Sequence, residues 1–155
     1  MKYFTIRELT KSATATRKGI DNTPTKKIEK SLIALINNVL DPLREKWGAP
    51  IRVSSGYRCP KLNKVIGGAA GSQHMKGEAA DITSLSDSRE DNMKLLQCLL
   101  NSGIDFDQVI SEDVDAKNRP NWIHVSYTTK RANRKKRTTM KKIKGKTVYL
   151  SGIKA

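Results

Sequence analysis

Residues 51–84 read IRVSSGYRCPKLNKVIGGAAGSQHMKGEAADITS, two short extended segments separated by a stretch rich in glycine and small residues. Ile51 and Val53 alternate with Arg52, the period-two pattern of a half-buried strand, which closes in a Ser-Gly turn. Residues 78–84 read as a second strand, on which Ala79 and Asp81 share one face and Glu78 and Ala80 the other. The intervening residues 59–77 suit a loop that wraps a site.

Working outward, residues 22–50 carry Ile28, Leu32, Leu35, Ile36, Val39, Leu40 and Leu43 at three-and-four spacing, which predicts a helix with one buried face. Thr23 before Pro24 offers a cap, Pro42 a kink, and Gly48-Ala49-Pro50 a stop. Ahead of it, Phe4, Ile6 and Leu9 with Thr5 and Glu8 in capping-box spacing predict a short helix. Downstream, Met93, Leu95, Leu96, Leu99 and Leu100 predict another helix, ended by Gly103. Residues 106–112 (FDQVISE) and 121–128 (NWIHVSYT) then read as strands joined by a polar turn, an antiparallel hairpin that can set Glu112 beside the strand of His124. Helices first and strands later give an α+β class with a small antiparallel sheet.

The chain has 155 residues, about the size of one domain, and 37% of them are apolar. It contains no apolar run of about 18 residues and no charged-then-apolar leader, so we expect a protein without a membrane span or an export signal of its own. Cys59 and Cys98 are too few for a disulfide framework and lie in no C-x-x-C spacing, and are expected in or near the core. The net charge of +15 predicts attraction to polyanions, nucleic acid and bacterial envelope polymers alike. Much of that charge lies in residues 130–146, KRANRKKRTTMKKIKGK, which read either as a solvated basic linker before a terminal strand or as a polyanion-binding arm.

The chain has only two histidines. His74 precedes Gly77, Ala79 and Asp81, and His124 interrupts an otherwise apolar strand-like run. Two imidazoles and a carboxylate are a usual catalytic zinc set that leaves a fourth position for water. On spacing alone the signal for metal is weak, and a loop histidine, a strand-end aspartate and a satisfied core histidine are the better account.

The segment Ser54-Ser-Gly-Tyr-Arg58, Leu62-Asn63, Gly67-Gly68 and Ser72-x-His74-x-x-Gly77-x-Ala79-x-Asp81-Ile82 resembles the signature of the zinc D-alanyl-D-alanine carboxypeptidases and L-alanyl-D-glutamate endopeptidases. Trp122-Ile-His124-Val-Ser126 resembles their second histidine strand, and residues 4–24 the start of phage-encoded members. The similarity spans roughly residues 3 to 128. It implies N-terminal helices packed on a small antiparallel sheet, a zinc peptidase domain over 1–129 and a basic extension over 130–155. It further implies zinc held by His74, Asp81 and His124, with Arg58 and Ser72 on an anionic or carbonyl group of the substrate. Tyr57 and Trp122 are expected to pack.

Many family members carry a general-base Asp or Glu three residues before the second histidine, and this chain has Asn121 there, which cannot accept a proton. The run 107–112 is similar to a strand of the hedgehog-like branch from which a Glu approaches the metal. Glu112 is therefore the expected base, with Asp113 and Asp115 as substitutes.

The expected activity is hydrolysis of a peptidoglycan stem peptide, as a carboxypeptidase or an endopeptidase, by a phage lysin held in the host cytoplasm until lysis or carried on the virion. The alternatives are a non-catalytic structural or polyanion-binding protein on the same fold, and nucleic-acid binding through the basic tail. The last is weakened by the absence of aromatics between Lys130 and Lys146.

Overall fold

The computed structural model describes residues 1–154. Short helices α1 (Ile6–Thr10) and α2 (Ala13–Lys18) lead into α3 (Lys26–Leu35). As expected, the Thr5 hydroxyl accepts from the Glu8 amide to start α1. The cap of α3 is Thr25 rather than Thr23, since its hydroxyl accepts from the Ile28 amide. A π-helical turn (Ile36–Leu40) joins α3 to α4 (Asp41–Trp47), which has a proline in its first turn. A proline has no N–H for the helical ladder, and a widened turn is one way to absorb that loss. Gly48, at φ 75°, ends the run.

After β1 (Ile51–Ser55) comes a helix that glycine-rich composition concealed, α5 (Pro60–Ile66). Pro60 opens it, the Cys59 sulfur accepts from the Leu62 amide, and Gly67 closes it in the left-handed region. A 3-10 turn (Gln73–Lys76), β2 (Ala79–Ser84), α6 (Arg89–Asn101), β3 (Gln108–Glu112) and β4 (Trp122–Ser126) follow.

The basic segment then supplies β5 (Lys136–Ile143) and β6 (Lys146–Ser151). Where the sequence suggested a solvated linker before a terminal strand, the chain builds a hairpin that pairs in parallel with β3. The exposed basic ends of β5 conceal it in the sequence: Lys136, Arg137 and Lys142 are exposed, while the consecutive Thr138, Thr139 and Met140 between them are buried.

The sheet runs β1-β2-β4-β3-β5-β6, antiparallel except for β3 and β5. Ala80, Ile82, Val109, Ile123 and Val125 pack with Leu32, Leu35, Leu43, Leu95, Leu96 and Leu99 of the helices in one core. Because side chains alternate along a strand, Asp81, Ile110, Glu112, Trp122 and His124 are left to the opposite face. Among the described residues, no helix is long and apolar enough to cross a membrane.

Candidate metal centre and cleft

Strand register brings the sequence-distant ligands together. Asp81 of β2 pairs with His124 of β4, and Oδ1 of Asp81 lies 3.1 Å from Nδ1 of His124. His74 enters from the 3-10 turn, with Nε2 at 3.3 Å from the same oxygen. The two rings stand edge to face with centroids 5.1 Å apart.

The turn after β1 holds His74 in place. Nδ1 of His74 is 2.7 Å from the Gly56 carbonyl. A carbonyl can only accept, so Nδ1 carries a proton, and Nε2 is the nitrogen turned to Asp81. The Arg58 amide donates to the His74 carbonyl, and the Ser72 hydroxyl accepts from the His74 amide. Gly56 must be glycine here, because a Cβ would lie 2.2 Å from the Leu9 carbonyl oxygen.

One donor atom from each of His74, Asp81 and His124 lies within 4.8 Å of the others, so these residues could hold a metal ion. The chemistry of the set agrees: an ionised carboxylate and an imidazole whose outer nitrogen is fixed by a backbone acceptor are what a zinc-type site requires. Burial opposes ionisation of Asp81, but hydrogen bonds from His124 and His74 overcome it and hold the carboxyl well below the usual carboxylate range.

These residues line a cleft of about 650 Å³ that also receives Arg58, Ser72, Glu112 and Trp122. Glu112 pairs with Trp122 across the β3–β4 hairpin and is 8% exposed. Burial, reinforced by the Asp81 and Asp113 carboxylates and opposed by His124, pushes its pKa up to about 7. Asn121 is not part of the cleft wall. Its amide hydrogen-bonds the Glu112 carbonyl, and its side chain donates to Asp113. Asp113 is thereby engaged, and Asp115 is bound to Arg119.

Arg58 is half-buried, with burial lowering its pKa against the pull of Asp81. Nη1 donates to Asn63, while Nε is buried without a partner. Gly68 makes room for this arrangement, since a Cβ would sit 2.8 Å from Nη1 of Arg58 and 2.0 Å from the Asn63 side-chain oxygen. Ser72 uses one lone pair on the His74 turn and keeps its hydroxyl proton. Tyr57 is buried in the core as expected, whereas Trp122 is half-buried and faces the cleft.

A family model described as Peptidase M15 matches residues 2–126, which include all three ligand candidates, Arg58, Ser72 and Glu112. The chain belongs to the peptidase M15 family. Among curated proteins none matches it. Membership makes this M15 chain a peptidase by family, with a His-Asp-His group able to hold metal where the family's zinc chemistry needs one.

Residue patterns did not reveal Asp107. Its side chain is fully buried, and it accepts from Gln73, Arg131 and Arg134. A carboxylate opening a strand-like run was the only signal, and its partners lie 24, 27 and 34 residues away.

Proposed function

We propose that this M15 peptidase is zinc-dependent and hydrolyses a peptide bond in peptidoglycan stems. The observation that carries this is one cleft shared by His74, Asp81, His124 and a buried carboxylic acid, Glu112, whose pKa is about 7. A zinc ion held by the three ligands would supply Lewis-acid activation of the scissile carbonyl and of water.

Glu112 is the proton carrier. Its carboxylate takes the proton of the attacking water and returns it to the leaving amine, a task suited to a group titrating near neutrality. Arg58, with its buried Nε unpartnered, binds a carboxylate or carbonyl of the substrate. Ser72 donates its hydroxyl proton to the same part of the substrate. The half-buried Trp122 walls the cleft beside Glu112. Contact with acidic wall polymers falls to the exposed lysines of the β5–β6 hairpin, Lys142, Lys144 and Lys146. A cytoplasmic or virion-borne lysin of phage origin fits a chain with these features.

The test is mass spectrometry of muropeptides after incubating the purified chain with intact sacculi, with and without a chelator. New stem-peptide termini that vanish with chelator are expected. Intact stems in both arms, with zinc bound, would favour a non-catalytic wall-binding protein.

A further inference from the structure

The cleft has a second charged feature beyond the metal group. Lys130, Arg131 and Arg134 line it from the loop between β4 and β5, a segment beyond residues 2–126. The two arginines do not wave in solvent. Asp107 Oδ1 accepts from Arg131 Nη1 at 2.6 Å and from Arg134 Nε and backbone N at 3.1 Å each. Oδ2 accepts from Arg131 Nη2 at 3.1 Å, Arg134 Nη2 at 2.9 Å and Gln73 Nε2 at 3.1 Å.

Six donors saturate this carboxylate, which has about four lone-pair sites. One guanidinium would neutralise Asp107. The second leaves a positive charge in the cleft wall, and Lys130 adds another. Glu78, 3% exposed and accepting from the Thr128 hydroxyl, is the opposing carboxylate nearby and offsets one of these charges, so three cations face two acids and one positive charge is left over. Each arginine side chain is 48% exposed. Among the described residues, Nη1 of Arg134 has no acceptor. Fixing two guanidiniums on a buried acid removes the rotamer entropy that an arginine otherwise loses on binding an anion.

Position gives the pair its meaning. Gln73, which completes the clamp, directly precedes His74, so the clamp is one residue from the metal group along the chain. We infer that Arg131 and Arg134, oriented by Asp107 and assisted by Lys130, form a subsite for a free substrate carboxylate that lies next to the scissile bond. The inference rests on the peptidase reading of the cleft and defines its substrate class. Two sources supply such a carboxylate: the terminal carboxylate of a D-alanyl-D-alanine peptide, and the α-carboxylate left free where D-glutamate is linked through its γ-carbon.

Calorimetry on the zinc-loaded full chain carrying Glu112→Gln, to prevent turnover, separates these. The probes are L-alanyl-γ-D-glutamyl-L-lysine and its α-carboxamide, and a D-alanyl-D-alanine tripeptide and its C-terminal amide. In one pair the acid should bind roughly tenfold or more tightly than the amide, as a charge-assisted contact predicts. The pair that discriminates identifies the carboxylate source. Arg134→Gln should erase most of the discrimination, and Arg134→Lys should keep part of it, which a merely structural role would not produce. Lys130→Gln, which touches no part of the clamp, should reduce it even if Arg134→Gln fails to fold. Equal binding of acid and amide in both pairs, or unchanged discrimination in Lys130→Gln and Arg134→Lys together, would overturn the inference. Cleavage of sacculi by the parent chain would still stand in that case, so the two failures remain distinct.

Discussion

Asp81 and His124 are register partners on adjacent antiparallel strands, and a single oxygen, Asp81 Oδ1, lies within 3.3 Å of nitrogens from both histidines. Without a metal, this carboxylate links the rings. With one, the three donors turn to it, and no other His, Cys, Asp or Glu group among the described residues converges in this way. Elemental analysis should give about one zinc per chain, and His124→Ala should weaken binding by more than the roughly 10–100-fold typical of losing a supporting contact. Full retention of zinc in His124→Ala would remove this histidine from the site.

The acid limb of activity should follow Glu112. A base must be ionised to accept a proton, so turnover should fall as pH drops through about 7, shifted downward to the extent that bound metal stabilises the carboxylate. Glu112→Gln keeps the shape and removes the proton acceptor, at a cost of roughly 10²–10⁴ in turnover. Stability of the metal-free chain gives an independent check. The folded pKa is raised above the ordinary 4.5, so the contribution of Glu112 is fully present below pH 4.5 and is lost as pH rises through about 7. Metal-free Glu112→Gln should therefore be more stable than the parent at pH 8, by about 1–3 kcal/mol. A parent-like pH profile of cleavage in Glu112→Gln would sink the assignment.

Asn121→Asp restores the carboxylate common in the family, and from the sequence it looks harmless or even helpful. The structure predicts otherwise. The Asn121 amide donates to Asp113 at 3.2 Å, so an aspartate would set two carboxylates against each other. The position is exposed, and the expected loss is modest, about 0.5–1 kcal/mol by thermal melting. Cleavage should not increase, because residue 121 does not line the cleft.

These outcomes reflect which parts of the molecule a sequence can express. The metal group was only hinted at by scarcity and spacing, two histidines in the whole chain and Asp81 seven residues after one of them, and it took the resemblance to the zinc peptidases to single it out. The β3–β4 hairpin was legible because period-two runs flank a polar turn, and it carried Glu112 with it. The α5 helix was not, since a single turn's worth of apolar residues is masked by Gly67, Gly68 and Gly71 just beyond it. Nor was β5, whose partner β3 lies 28 residues earlier and whose lysines and arginines face solvent on a sheet rather than along a tail. Pairing of that range is decided by the sheet as a whole and leaves no local pattern.

Asp107→Asn measures the clamp. Burial works against ionisation, but the Arg131 and Arg134 hydrogen bonds hold the carboxyl well below its ordinary value. A lowered folded pKa means the contribution is present above the ordinary value of 3.8 and is lost as pH falls below it. At pH 7 the variant removes the buried charge and leaves two half-exposed guanidiniums able to regain water. The expected cost is accordingly that of charged hydrogen bonds, about 1–3 kcal/mol in denaturant unfolding. The gap between parent and variant should narrow below pH 4, and a constant gap from pH 7 to pH 3 would contradict the ion-pair account.

Removing residues 130–155 is the sharpest test of how the basic segment belongs to the fold. We predict that the truncated chain is not a folded peptidase with its tail removed. The cut deletes β5 and so bares the edge of β3, the strand that carries Glu112. It also removes Met140, whose buried side chain lines the cleft, and both guanidiniums from a fully buried Asp107. An uncompensated buried carboxylate alone costs about 3–5 kcal/mol, a large part of the 5–15 kcal/mol available to a domain. An exposed strand edge adds a route to aggregation. The truncated chain should therefore lose its cooperative melt or precipitate, and the β3 amides should lose their protection from hydrogen exchange. Removing only residues 146–155 should be milder, since β5 stays paired with β3 and the Asp107 clamp is intact. If the 1–129 chain instead melts cooperatively near the parent temperature and binds zinc, residues 130–155 are a separable extension after all, and the hairpin contributes nothing the domain needs.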